Sequence, residues 1–446
     1  MSLTGRRTFV GFGFGAIQSG LFLSEAYLSG QFRRLVVAEV VPEIVAAVRR
    51  NGGYYHFNVA YRDRVESARI GPIEILDPAV EADRLGIQAA IAEAEEIATA
   101  VPSITFYVSK KPGSVHRLLA AGLCEKITLG EPRAVIYTAE NHNHAAEILE
   151  VATMEQVPGD QRAEVHQRVR FLNTVIGKMS QVITDPAEVQ ARHLASITPD
   201  LPRAFLVEAF NRILVSRVQF PEPFSRGIVV FQEKDDLLPF EEAKLYGHNA
   251  THALMGYLGS LRGVQRVADL KEIPGVLPFA RAAFIEESGA ALIRKHAGID
   301  PLFTLDGYRD FADDLLERMT NPFLVDMIER VTRNTERKLG WNDRLAGTMR
   351  VALEQGVAPR RYALGAAAAL ARINPAILDG KTTVRTSLDT LWRDANPAQA
   401  EKNQLIELIK TAHAELKAWR AADFPDLETF FQNHSRSQSA VYRLGS

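Results

Sequence analysis

The chain has 446 residues, 46% of them apolar and 24% charged, with a formal net charge of −2 and one cysteine, Cys124. That length exceeds one ordinary core, so two or three domains are expected of what is by composition a globular chain. The charge balance excludes a general nucleic-acid binder, and the lone cysteine excludes a disulfide framework or a multi-thiolate metal site.

Taken in order, the first half alternates short β-branched runs with helical stretches, the pattern of a parallel sheet with crossover helices. Thr8–Val10 reads as a strand, and 16–28 as a helix closed by Ser29-Gly30. Leu35–Val40 reads as a second strand, and Pro42–Arg50 as a second helix with proline in its first turn. Glu81–Ala100 reads as one long helix, and Ser103–Val108 and Ala134–Thr138 as buried strands. Past about Leu201 the texture changes, with a mixed stretch through Val218, Phe220 and Ile228–Phe231. From Phe240 onward helical periodicity dominates, including Leu364–Arg372 and Asn403–Trp419. The expected layout is an α/β dinucleotide-binding domain over 1–195, followed by a mainly α-helical domain over 196–446. A polar tail from Ser435 is expected to be mobile. No apolar run is long enough to span a bilayer. A soluble cytoplasmic protein is expected, with a small-molecule partner and neither a nucleic-acid nor a membrane partner; monomer and dimer are not distinguished.

The run Arg6-Arg7-Thr8-Phe9-Val10 with its apolar continuation also fits a twin-arginine export signal. Glu25, and the lack of a small-x-small site before Gly30, favour a strand, turn and helix instead.

Gly11-Phe12-Gly13-Phe14-Gly15-Ala16 follows the first strand and opens the first helix. Gly11 permits a tight turn, Gly13 lets backbone approach a pyrophosphate, and Ala16 suits close helix–strand packing. The helix N-terminus offers unpaired N–H groups to the phosphates. Glu39, at the end of the second strand, can accept from ribose hydroxyls and repels a 2′-phosphate, so the expected cofactor is NAD. The bland alternative is a structural glycine turn with a solvated glutamate.

Lys244-Leu-Tyr-Gly-His-Asn249-Ala-Thr-His252 carries the chemistry. At about 100° per residue, Lys244, His252 and Asn249 fall near 0°, 80° and 140° on a helical wheel, one broad face. Oxidising a secondary alcohol needs a base for the hydroxyl proton and donors for the developing alkoxide. A buried lysine beside a cation can serve as base, and an amide and an imidazole as donors. His248 and His252 at i and i+4 could instead share a metal ion, although Lys244 beside them disfavours it. A polar packing face is a third alternative. The cluster Asn141-His142-Asn143-His144 lacks the spacing of a standard metal site.

Lys244-x4-Asn249-x2-His252 resembles the signature of the polyol-specific long-chain dehydrogenases. Glu286-Glu287-Ser288-Gly289-Ala290, Asn321-Pro322-Phe323 and Arg330 through Lys338-Leu339 to Asp343-Arg344 follow the mannitol-1-phosphate members of that family. The resemblance implies a Rossmann-type domain followed by a 6-phosphogluconate-dehydrogenase-like helical domain, an active site in the cleft between them, and no metal. It implies Lys244 as general base, Asn249 and His252 holding the reacting oxygen, and Asn141, Arg330 and Lys338 on the substrate side. It further implies Glu241 as the carboxylate linked to proton exchange. Gly177-Lys178 departs from the family's Asp-Arg, and the glycine loop differs from the usual form, so the substrate is less defined than the chemistry. The expected reaction interconverts mannitol 1-phosphate and fructose 6-phosphate. Free mannitol, another polyol or a hexuronate is the alternative within the family, and a non-catalytic nucleotide-dependent sensor is the alternative outside it.

Overall fold

The computed structural model describes residues 5–378 and 381–434. It divides into two units, Met1–Leu238 and Pro239–Ser446. The tail from Ser435 lies outside the described residues.

Among the described residues the first unit holds twelve strands. In chain order they are β1 (Arg7–Phe12), β2 (Phe32–Ala38), β3 (Tyr55–Ala60), β4 (Val65–Ile70), β5 (Glu74–Leu76) and β6 (Glu96–Thr99). There follow β7 (Ala134–Thr138), β8 (Val169–Ile176), β9 (Ser180–Ile183), β10 (Ala204–Glu208), β11 (Ile213–Ser216) and β12 (Phe231–Lys234). The larger sheet runs β12-β11-β8-β7-β6-β1-β2-β5. Every pairing from β8 across to β5 is parallel. That part is the doubly wound order of a dinucleotide-binding domain, with the strand order reversing between β1 and β6.

Its strands are buried on both faces, and the two-residue period of a strand sends successive side chains to opposite sides. Phe9, Leu35 and Val37 face one apolar cluster, which also takes in Phe57, Phe205 and Val207 of the smaller sheet, β4-β3-β10-β9. Val10, Val36, Ile97 and Ile136 face the other, with Leu118, Leu119 and Leu149 from the helices Val115–Leu129 and Ala145–Gln156. Helix 16–28 lies against the smaller sheet so closely that a Cβ on Gly20 would stand 2.6 Å from Val207 Cγ1.

Three expectations need correction. The division falls after Leu238, not at residue 195, because β10, β11 and β12 all pair into sheets of the first unit. The stretch expected as one helix over Glu81–Ala100 is a helix over Glu81–Glu93 followed by the fully buried strand β6. Ser103–Val108 is not a strand; it contains a short 3-10 turn at Ile104–Phe106 capped by the Ser103 side chain.

The second unit is helical. Its alanine-rich helix Arg360–Ile373 is buried for most of its length, packing on Ala250–Leu261 and on Gln399–Ala421. Two helices there each contain a π-helical turn, Ala243–Asn249 and Ala283–Gly289, in which the backbone bonds run from i to i+5. The first unit has a third, Gln18–Leu23, in the helix behind the glycine loop. Among the described residues no helix is long and apolar enough to cross a membrane.

Candidate active site

In the first unit the glycine loop sits at the end of β1, where the strand order reverses. Gly13 has φ +82°, and a Cβ there would lie 2.9 Å from the Ala100 carbonyl oxygen, so glycine is required twice over. Gly11 has no left-handed backbone, and what stands beside it is a side chain. A Cβ at Gly11 would come within 2.1 Å of Nε2 of the buried Gln18, whose amide has no hydrogen-bond partner. A Cβ at Gly15 would meet nothing within 4 Å, which leaves open space beside the helix N-terminus.

Glu39 follows β2 and is only 6% exposed. Its carboxylate accepts from the Phe14 N–H at 2.7 Å and the Val41 N–H at 2.8 Å, so it is tied to the glycine loop itself. A carboxylate offers about four lone-pair sites, which leaves acceptor capacity for ribose hydroxyls. Loop, helix N-terminus and acid together fit an adenine dinucleotide without a 2′-phosphate.

Asn141 lies just past the C-terminal end of β7 and is exposed. The preceding Glu140 is buried and accepts from Thr99 Oγ1 at 2.9 Å and the Val101 N–H at 2.8 Å, with Tyr107 Oη as a third donor. This fixes the loop after β6 to the loop after β7. Where the family has Asp-Arg, Lys178 is buried, donating to the Phe210 carbonyl at 2.9 Å and to Asn211 Oδ1 at 2.6 Å.

The second unit gathers Lys244, Asn249 and His252 on the helix over 238–261. The helical wheel expected for them does not hold, because Lys244 and Asn249 lie inside the π-helical turn. Its i to i+5 bonding sets Asn249 about one turn beyond Lys244, closer to alignment than an α-helix would place it. The turn is held by close packing: a Cβ at Gly247 would stand 2.7 Å from both Phe284 Cε2 and Tyr308 Oη.

Lys244 is half-buried, and its pKa is lowered to about 8. Burial is the main cause; Arg344 adds to it and the Glu241 carboxylate opposes it. His248 is buried and held well below the usual imidazole range by that burial and by Arg318, His252, Lys244 and Arg344. The His248 and His252 rings are 6.3 Å apart. Among the described residues, no three or more His, Cys, Asp or Glu side chains are grouped so as to hold a metal ion.

Two substrate-side expectations meet different fates. Arg330 is half-exposed and donates through Nε to Asp326 Oδ1 at 2.7 Å. Lys338 is buried, and its ammonium donates to the Val331 carbonyl at 2.6 Å and the Arg333 carbonyl at 2.5 Å. Lys338 therefore ties one short helix to the next with two of its three ammonium protons.

Sequence reasoning missed Asp326. It is 2% exposed and stands between Arg330 and His252, whose Nε2 is 3.0 Å from Asp326 Oδ2. Burial would raise its carboxyl, but His252 and Arg330 outweigh that and hold it below the usual range. Val325 just before it has φ +50°, a left-handed conformation that costs a β-branched residue roughly 1–3 kcal/mol. The i, i+4 spacing of Asp326 and Arg330 was the one signal available. Arg344 was noticed only as part of a cationic run, not as a neighbour of Lys244.

The motif Glu286-Glu287-Ser288-Gly289 turns out to be scaffolding for this helix. Glu287 accepts from the Arg361 and Tyr362 N–H groups at 2.7 and 3.1 Å, capping the helix Arg360–Ile373. Tyr362 Oη then meets Thr251 Oγ1 at 2.7 Å, next to His252.

Residues 236–431 match the family model described as the Mannitol dehydrogenase C-terminal domain. The match covers most of the helical unit, and the resemblance to polyol dehydrogenases seen in the sequence stands. A D-sorbitol dehydrogenase in substrate-free form is similar in structure, with a TM-score of 0.73 at 16% identity over 94% of each chain. The Pseudomonas fluorescens mannitol 2-dehydrogenase, in a ternary complex with NAD and D-mannitol, is similar at TM-score 0.67 and 16% identity, over 94% of this chain and 93% of that one. At that identity the likeness establishes the fold: an α/β dinucleotide-binding unit followed by a mainly helical one.

Proposed function

We propose that the protein is an NAD-dependent polyol dehydrogenase that oxidises a secondary alcohol to a ketone, with Lys244 as general base. The observation that carries this reading is a half-buried lysine with its pKa lowered to about 8, on one π-helical turn with Asn249 and about two turns from His252. NAD, bound by the loop Gly11–Ala16 and Glu39, supplies the hydride acceptor. Neutral Lys244 takes the hydroxyl proton at Nζ, and Glu241, a turn earlier, returns it toward solvent. The Asn249 amide donates to the reacting oxygen as negative charge develops on it, and His252 helps to hold the substrate. Asn141 at the end of β7 is the substrate contact proposed from the first unit.

For the substrate we propose mannitol 1-phosphate, converted to fructose 6-phosphate, with Arg330 as the guanidinium that meets the phosphate. A free polyol is the second reading, favoured by the commitment of Lys338 to backbone carbonyls. We also propose that the reaction needs no metal ion.

The test is a panel of polyols, polyol phosphates and hexuronates followed by NADH absorbance, before and after exhaustive chelation. Turnover of a polyol phosphate with lower KM than the free polyol, unchanged by chelation, is expected. Equal efficiency on free mannitol would transfer the assignment to the free-polyol reading. Absence of any NAD-linked turnover across the panel would favour a sensor.

A further inference from the structure

A buried carboxylate beside His252, Asp326, has no part in the mechanism above. Asp326 divides its two oxygens. Oδ1 takes Arg330, at 2.7 Å from Nε. Oδ2 lies 3.0 Å from Nε2 of His252, an ion-pair contact without well-formed hydrogen-bond geometry, and neither of those two buried atoms has any other partner. Both atoms are buried, so water does not substitute for the pairing. The strained Val325 directly before it shows that the backbone is held out of its preferred conformation to place this carboxylate.

An ionised carboxylate next to an imidazole nitrogen favours the proton on that nitrogen, and so selects the ring's tautomer. We infer that Asp326 is a positioning residue that fixes His252 with its proton on Nε2, leaving Nδ1 as the ring's acceptor. This rests on the function proposed above and sharpens it. In its neutral form His252 then accepts from a substrate hydroxyl through Nδ1, and Asn249 is left as the donor to the reacting oxygen, whose proton goes to Lys244. A polyol, with a hydroxyl on the carbon beside the one oxidised, offers the required donor; a simple secondary alcohol does not.

Nitrogen-15 NMR of the His252 ring in the unmodified protein, at a pH where the ring is neutral, tests the tautomer without reference to activity. The Nε2–H form is expected, and a predominantly Nδ1–H ring would overturn the inference even if polyols are turned over. Asp326→Asn should then lower kcat on the best polyol by about 10-fold or more with KM for NAD unchanged, the direction seen when an orienting carboxylate behind an imidazole is lost. In a His252→Asn background the same substitution should cost almost nothing further. Equal losses in both backgrounds would show that Asp326 acts on the fold and not through His252. Should Asp326→Asn fail to fold, the ring spectrum of the unmodified protein still decides. A protein with no polyol activity but an Nε2–H ring would refute the proposed function and leave the tautomer standing.

Discussion

Lys126 in the first unit and Lys244 in the second have the same lowered pKa of about 8, with burial as the main cause in each. Their surroundings differ. Lys126 is fully buried, and its ammonium donates to the carbonyls of Ala92, Ala94 and Pro132 at 2.6, 2.7 and 2.9 Å. It holds the end of one helix and the entry to β6, so its three protons are committed. Lys244 is half-buried and stands on a π-helical turn among ionisable groups, Glu241, Arg344 and His248. A depressed lysine pKa therefore does not mark function by itself; access and neighbours separate the structural case from the chemical one.

The sharpest way to break that comparison is to remove each ammonium. Lys244→Ala should lower turnover by about two orders of magnitude or more, with NAD affinity and melting temperature nearly unchanged. Lys126→Met should do the reverse, costing roughly 2–4 kcal/mol because it leaves buried carbonyls unpaired, while the folded fraction keeps its activity. Stability and activity data that swapped these outcomes would undo the distinction.

The next effect is on pH dependence. Lys244 must be neutral to act as a base, so kcat/KM for alcohol oxidation should rise as pH passes upward through about 8 and then level off. Glu241 holds the lysine's proton on, so Glu241→Gln should move that limb to lower pH. A limb that stays in place, or moves upward, would remove Glu241 from the acid–base network. For Lys126 the same lowering acts on stability. The unfolded chain binds more protons than the folded one between about 8 and the ordinary lysine value of 10.5, so this group's contribution rises with pH through that window.

The smallest expected effect concerns the cofactor. Glu39→Ala removes the acceptor of the Phe14 and Val41 N–H groups as well as the negative charge. KM for NAD should rise about 10-fold, and discrimination against NADP should shrink, since each lost charge-assisted hydrogen bond is worth roughly 1.5–3 kcal/mol. Unmodified protein that used NADP as well as NAD would refute the role given to Glu39.

Much of this was legible in the sequence, and the failures have physical reasons. The glycine turn, the acid after β2 and the long apolar strands show because glycine and continuous burial leave marks in one dimension. β6 escaped because Glu96-Ile-Ala-Thr99 follows an alanine-rich helix with no glycine or proline between them, and burial alone makes it a strand. The strands of the smaller sheet are short, and their pairing links residues far apart in the chain, β3 to β10 among them. In the second unit the trio Lys244, Asn249 and His252 was readable as a set, but not its geometry, since a wheel assumes α-helical bonding. That Lys338 donates to two backbone carbonyls was not legible, since nothing in its local pattern tells a buried lysine from a solvated one. The residues that carry the family resemblance, Glu287 above all, cap and brace the helices, so the likeness speaks first of the scaffold.

A π-helical turn is an α-helix carrying one residue too many. Were Ala243–Asn249 to relax to ordinary α-helical bonding with every residue kept, everything beyond would swing by about 100° relative to Lys244. Asn249 and His252 would then point away from the lysine, with every side chain still present. The second such turn, Ala283–Gly289, packs against the first with Phe284 filling the space that Gly247 leaves, so the two surplus residues interlock. In this unit the bonding pattern of the helix between lysine and histidine is as much a part of the chemistry as the residues themselves.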